Sequence, residues 1–169
     1  MLRVSALTLC VLAAAACSQP AQVEAPDSIA AVAGADVPAD VVAAAQAVAP
    51  GFTVSEAERK ERDGRVYYDV EGLRADGAEI ELDILQTEQG WRVVEVQREI
   101  AWSAAPASVR TVAEASPGAF TPVRVIESVQ TEDSAVIYEL FAEGRPEAPS
   151  MEVRVDGSGT RVMTQANPH

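Results

Sequence analysis

Residues 37–54, VPADVVAAAQAVAPGFTV, and residues 105–123, APASVRTVAEASPGAFTPV, decide how the chain is parsed, because they open two stretches that run in parallel. Pro38 matches Pro106, Pro50-Gly51 matches Pro117-Gly118, and Phe52 matches Phe120. Val41, Ala44, Ala45 and Val48 recur at helical spacing, as do Val109, Val112 and Ala113. A proline suits a first helical turn, where its missing N–H costs nothing, and Pro-Gly stops both helices.

Further on, Val66-Tyr67-Tyr68-Asp69-Val70 parallels Val136-Ile137-Tyr138-Glu139-Leu140, and Ile80-Glu81-Leu82-Asp83-Ile84 parallels Met151-Glu152-Val153-Arg154-Val155. Gly90-Trp91-Arg92-Val93 parallels Gly159-Thr160-Arg161-Val162. Asp63-Gly64, Asp76-Gly77 and Asp156-Gly157 supply hairpin turns. Each stretch reads as a helix followed by about four strands. The expected fold is therefore α+β: two repeats of a helix plus a four-stranded antiparallel sheet, packed in tandem, over residues 36–100 and 101–165. A unit of about 65 residues buries too little surface to stand alone comfortably, so the two should pack together through residues 101–105. Trp102 either sits at that junction or covers the sheet edge of its own unit.

Strict alternation gives each strand one covered and one wet face. Val66, Tyr68 and Val70 oppose Tyr67, Asp69 and Glu71, while Ile80, Leu82 and Ile84 oppose Glu79, Glu81 and Asp83. The acids therefore share a face, with Tyr67 and Trp91 expected beside them. Two readings fit. The face is an acidic, aromatic-studded groove for a basic peptide, a cation or a sugar, or it is simply the solvated side of an amphipathic sheet. In the second stretch the outward positions include Ile137 and Phe141 beside Glu139, and exposed apolar groups on a wet face mark an interface, with the first unit or with a partner. The expected partner-binding residues are thus Tyr67, Asp69, Glu79, Glu81, Trp91, Ile137 and Phe141.

A short helix ending in Pro50-Gly51, then Tyr68-Asp69-Val70, Asp76-Gly77, alternating residues from Glu79 to Ile84, and a turn at Gly90 resembles the PepSY and PepSY-like family. The likeness covers residues 37–97 well and 105–164 loosely; the second stretch has Gly144-Arg145-Pro146-Glu147-Ala148-Pro149 where the first has its Asp-Gly turn. The resemblance implies a curved antiparallel sheet with a helix on one face, and tandem units are similar to the β-lactamase inhibitor protein. It also implies a non-catalytic role, binding or restraining peptidases or other envelope proteins, and it carries over no catalytic residue.

The first residues, MLRVSALTLCVLAAAAC, divide into a basic start at Arg3 and an apolar run, Leu7 to Ala16, too short to span a bilayer. Ala14-Ala15-Ala16 before Cys17 resembles the lipobox of bacterial lipoproteins, with Ala14 where that family prefers Leu. The resemblance implies a signal peptide over 1–16 and acylation of Cys17; the alternative is an ordinary signal that leaves a free thiol. The only other cysteine is Cys10, inside the signal, so no disulfide forms in the mature chain. Residues 17–35, rich in Ala, Pro and small polar groups, read as a flexible tether in which only Ile29-Ala30-Ala31-Val32 offers anything to dock. The expected location is the cell envelope, lipid-anchored at the outer membrane and facing the periplasm, since Ser18 is not the Asp that resembles an inner-membrane retention signal.

Cleavage would remove Arg3 and no acid, taking the formal charge from −13 to −14. That excludes nucleic acid as a partner, whose phosphates need clustered cations. It equally disfavours anionic headgroups, leaving the lipid as the membrane attachment. His169 is the sole histidine and the last residue, so no nucleophile–base–orienter set can be assembled. Zinc ligands, an EF-hand loop and a phosphate-binding glycine loop are absent from the sequence. The expectation is a protein with no enzymatic activity, cofactor or metal, which binds an envelope protein or peptide. The alternative is a structural or assembly lipoprotein without a dedicated ligand.

Overall fold

The computed structural model describes residues 27–163. The signal over 1–16, Cys17, the first part of the tether and His169 lie outside the described residues. Among those described, no helix is long and apolar enough to cross a membrane.

The strands are β1 (Ser28–Ala33), β2 (Thr53–Arg62), β3 (Arg65–Leu73), β4 (Glu79–Thr87), β5 (Gly90–Ile100), β6 (Arg124–Gln130), β7 (Val136–Phe141), β8 (Met151–Asp156) and β9 (Gly159–Val162). Helix α1 (Ala39–Val48) lies between β1 and β2, and α2 (Ala107–Ala115) between β5 and β6. All nine strands belong to one antiparallel sheet in the order of the chain, from β1 to β9. This corrects the expectation of two repeats, each with its own four-stranded sheet, packed in tandem. The reason is the β5–β6 ladder, six antiparallel pairs from Glu95↔Gln130 to Ile100↔Val125. Two separate sheets would leave β5 and β6 as edges with unpaired N–H and C=O groups, and direct backbone pairing removes both edges. The linker 101–105 holds a short 3-10 turn (Trp102–Ala104) leading into α2.

A second correction concerns the tether. Residues 28–33 form β1, paired with β2 from Ser28↔Glu61 to Ala33↔Glu56. The apolar patch Ile29 to Val32 thus has a backbone partner, and β1 in turn removes an open edge from β2.

Both helices cover the same sheet with small side chains, as their alanine-rich sequences require. Val41 and Ala45 of α1 are fully buried, with Phe52, Val70, Leu82 and Ile84 among the residues of their core cluster. Val109 and Ala113 of α2 belong to a second cluster with Val125, Leu140 and Val153, against which Trp102 packs. Each fully buried aliphatic or aromatic side chain contributes roughly 1.5–3 kcal/mol by leaving water. Pro38 and Pro106 sit at the N-caps, one residue before the first helical turn, and the carbonyl of Pro38 accepts from the amides of Val41 and Val42. Gly72 is the most tightly enclosed of the described glycines: a Cβ there would lie 2.1 Å from the carbonyl oxygen of Thr53 and 2.8 Å from the Phe52 ring.

Two register shifts interrupt the ladders. Ser55 is the extra residue of β2 opposite β3, and Val94 is the extra residue of β5 opposite β4. Each locally increases twist and reverses the alternation beyond it.

Candidate functional site

Residues directly opposite one another in paired strands share a face. On the face turned away from the helices, one row therefore runs Ala31, Glu58, Asp69, Asp83, Glu95 and Gln130 across β1 to β6. The adjacent row runs Glu56, Glu71, Glu81, Gln97, Ser128, Ile137 and Arg154 across β2 to β8. A third holds Glu99, Ile126, Glu139 and Glu152.

Alternation predicts that this helix-free face is wet. Much of it is buried: Asp69, Asp83, Glu95, Ser128, Ile137, Glu139, Phe141 and Glu152 are all less than a tenth exposed. Removing carboxylates from water is costly unless they gain partners, so the chemistry of this face lies in how each acid is compensated.

Asp69, Glu81 and Asp83 form the densest group. Each brings one carboxylate oxygen to within 4.8 Å of those of the other two. A cleft of about 350 Å³ opens onto Asp69 and Glu81, walled by residues 31–34 of the first strand and its following turn and by residues 55–58 of β2. Lys60 of β2 reaches in, its Nζ pairing with Asp69 Oδ2 and lying 3.8 Å from Glu58 Oε2. Asp83 Oδ1 is buried and has no hydrogen-bond partner among the described residues. Next to Asp83, Glu95 accepts from the Ser128 hydroxyl, which in turn accepts from Gln130 Nε2 at 2.9 Å.

The titration behaviour follows from this crowding. Burial, reinforced by the charges of Asp69 and Glu71, pushes the Glu81 carboxyl up to about 7. Burial raises Asp83 well above the usual carboxylate range, and the charges of Asp69, Glu95 and Glu81 raise it further. Burial also raises Asp69, although the hydrogen bond and charge of Lys60 pull the other way. Lys60 is raised: burial opposes its charge, but Asp69, Asp83 and Glu58 together outweigh that effect.

The expected site residues divide between two faces and several places. Asp69 and Glu81 meet in the acidic cluster. Tyr67 is on the same face, one position beyond Asp69 toward the β2–β3 turn, with the Arg62 guanidinium 5.4 Å from its ring centre. Glu79 is exposed at the start of β4, near the mouth of a second cleft of about 810 Å³ that also touches Glu71, Glu81, Glu99, Ile126 and Trp102. Ile137 is fully buried between Ser128 and Arg154 on the helix-free face. Phe141 is buried near the end of the same face, with the Arg124 guanidinium 5.0 Å from its ring centre.

Trp91 is a correction. It packs edge-to-face on Tyr68, ring centres 5.2 Å apart, against the core beneath α1. The extra residue Val94 is the cause. Counting back by twos from Glu95 puts Trp91 with the acids, and the bulge turns it to the helix side.

Lys60, Asp83 and Glu95 are not among the residues expected from the sequence to bind a partner, yet the fold brings all three to this cluster. Asp83 was legible in the sequence, being one alternation step from Glu81. Lys60 sits in a charged run, and only its cross-strand pairing selects it. The chain matches no family model and no curated protein, so the site stands on its own geometry.

Proposed function

We propose that this chain is a non-catalytic, lipid-anchored envelope protein that binds a partner protein or peptide along the helix-free face of its sheet. The observation that supports it is the lining of the larger cleft: the acids Glu71, Glu79, Glu81 and Glu99, the last paired with Arg124, beside exposed Val123 and half-buried Trp102. An acidic strip next to apolar groups suits a segment that carries Lys or Arg together with apolar side chains, and attraction over a cleft of about 810 Å³ speeds its approach. The order of motifs that resembles PepSY-like units supports a restraining rather than a catalytic role, a peptidase being one class of partner. The Ala-Ala-Ala-Cys17 sequence supports the anchor.

Binding of a labelled basic-apolar peptide, and of its Lys→Glu counterpart, tests this by fluorescence anisotropy at two salt concentrations. The basic peptide should bind more tightly, and more so at low salt. Glu79→Lys and Glu99→Lys, both at exposed positions, should weaken it. Equal affinity for the two peptides, or indifference to both charge reversals, refutes the assignment of this face. The anchor is tested separately, because Cys17→Ser should leave the protein unprocessed or soluble. A mutant that stays processed and membrane-bound refutes lipidation.

A further inference from the structure

We infer that Asp69, Glu81 and Asp83 form a binding site for a divalent cation, with Ca²⁺ the ion that fits. The inference is independent of the partner proposed above and needs no partner to test. It begins with the ligand set. Three carboxylate oxygens from two adjacent strands converge within 4.8 Å of one another. Two oxygens on one ion at about 2.4 Å can be at most about 4.8 Å apart, and three evenly spaced ones about 4.2 Å, so the set meets the pairwise limit of a single Ca²⁺ and closes onto it with a small inward turn of the side chains. Mg²⁺, at about 2.0–2.1 Å and with rigid octahedral demands, needs a tighter cage than one shared between two strands. An all-oxygen, all-carboxylate set selects against softer metals.

The second observation is the orphaned atom. Asp83 is 6 % exposed, and its Oδ1 has no hydrogen-bond partner among the described residues. A buried carboxylate oxygen without a donor is costly, and natural structures seldom keep one without a reason. Above about pH 7, where Glu81 gives up its proton, its own cluster supplies no donor, since ionised Asp69 and Glu81 only accept. The nearest cation, Lys60, is already engaged by Asp69 and Glu58. A cation seated among the three would neutralise the buried carboxylate whose Oδ1 the fold leaves open.

The cleft of about 350 Å³ that meets Asp69 and Glu81 gives an ion a way in and room for waters to complete its coordination. Lys60 then acts as a tethered competitor. Its ammonium holds Asp69 when the site is empty and must give up part of that contact when an ion enters. Glu81 lines both clefts, so an occupied site alters the charge that the larger one presents.

Isothermal titration of the purified full-length chain, stripped with a chelator, tests the site. CaCl₂ should bind with one-to-one stoichiometry and raise the Tm, whereas NaCl at matched ionic strength should not raise it to the same extent. Asp83→Asn and Asp69→Asn, close in shape to the wild type and checked by circular dichroism, should each weaken Ca²⁺ at least tenfold. Lys60→Gln should tighten it severalfold, an effect that a merely structural lysine would not produce. The inference is overturned if Ca²⁺ gives no saturable signal, or if the two Asn variants bind as wild type does. Tighter binding of Mg²⁺ than of Ca²⁺ overturns the choice of ion.

Discussion

Glu81→Gln should stabilise the empty protein at alkaline pH and do almost nothing to it in acid. Its carboxyl lies beside Asp69 and Asp83 of the cluster, opposite Glu71 on β3 and Gln97 on β5, and the charge of Lys60 reaches it from β2, two strands away. Burial, together with the charges of Asp69 and Glu71, raises it from 4.5 to about 7. The folded state therefore holds this proton more tightly than the unfolded chain does. Between those two pH values the native state binds more protons, so stability falls as pH rises through the window. Below about 4.5 the group is neutral in both states and costs nothing, and above about 7 the penalty is complete. At about 1.36 kcal/mol per unit the shift corresponds to about 3 kcal/mol, and about 2 kcal/mol after allowing for the partial exposure of Glu81. Glutamine keeps the shape and removes the charge. In chelator, urea unfolding followed by circular dichroism should show Glu81→Gln more stable than wild type by about 2 kcal/mol at pH 8, a rise in Tm of about 4–8 °C. At pH 4.5 the two should coincide, and the exposed Glu88→Gln should change little at either pH. An equal gain at both pH values, or a loss at pH 8, would refute the argument that crowded negative charge is what the fold tolerates here.

Three other expectations follow from the same geometry. Lys60→Gln in chelator should destabilise by about 2–3 kcal/mol at pH 8, because Asp69 loses its ion pair and Asp83 a nearby positive charge, and the deficit should shrink as acid protonates them; parallel urea curves at pH 5 and 8 check this. Gly72→Ala should cost at least about 2 kcal/mol despite adding a single methyl group, since the Thr53 carbonyl and the Phe52 ring occupy the space it needs, and differential scanning calorimetry reads the loss. Leu82→Ala, a fully buried position in the core beneath α1, should cost about 2–5 kcal/mol at every pH, which separates a packing loss from the pH-dependent effects on the other face of the same strand.

The helices were legible because their signals are local. Pro38 and Pro106 before apolar periodicity, and Pro-Gly after it, need no tertiary contact to be recognised, and both helices form within a residue or two of those marks. The strands around Tyr68, Leu82, Tyr138 and Val153 were legible from their alternation. β2 was not, since six of its ten residues are charged and only Ala57 is buried; it is a strand because β1 and β3 pair with it on either side. Lys60 was lost from the site for that reason. Trp91 was misplaced for a related one: a period of two is a sound guide only until a bulge, and nothing in Val93-Val94-Glu95 announces where the extra residue falls.

The parallel between the two stretches misled in one respect that bears on the site. It suggested equivalent units, each with its own sheet, whereas a single sheet makes their surroundings unequal. Asp69 and Asp83 sit on β3 and β4, which have neighbours on both sides in either arrangement, whereas β5, which carries Glu95, has a second neighbour only because β6 extends the sheet past it. In an isolated four-stranded sheet β5 would be an edge, and Glu95 would face water rather than the hydroxyl of Ser128 on β6. The continuous ladder therefore extends the buried row to Glu95, whose charge adds to the burial that raises Glu81 and Asp83. The corresponding pair in the second stretch, Glu139 and Glu152, faces Ile126 on the adjoining strand, and Arg154 lies in the next row. Arg154 is bound to Asp133 and Asp156, so its charge is taken up near the β8–β9 turn. Two stretches with similar order of elements thus end with different electrostatics, and the convergence of three carboxylates belongs to the first alone among the described residues.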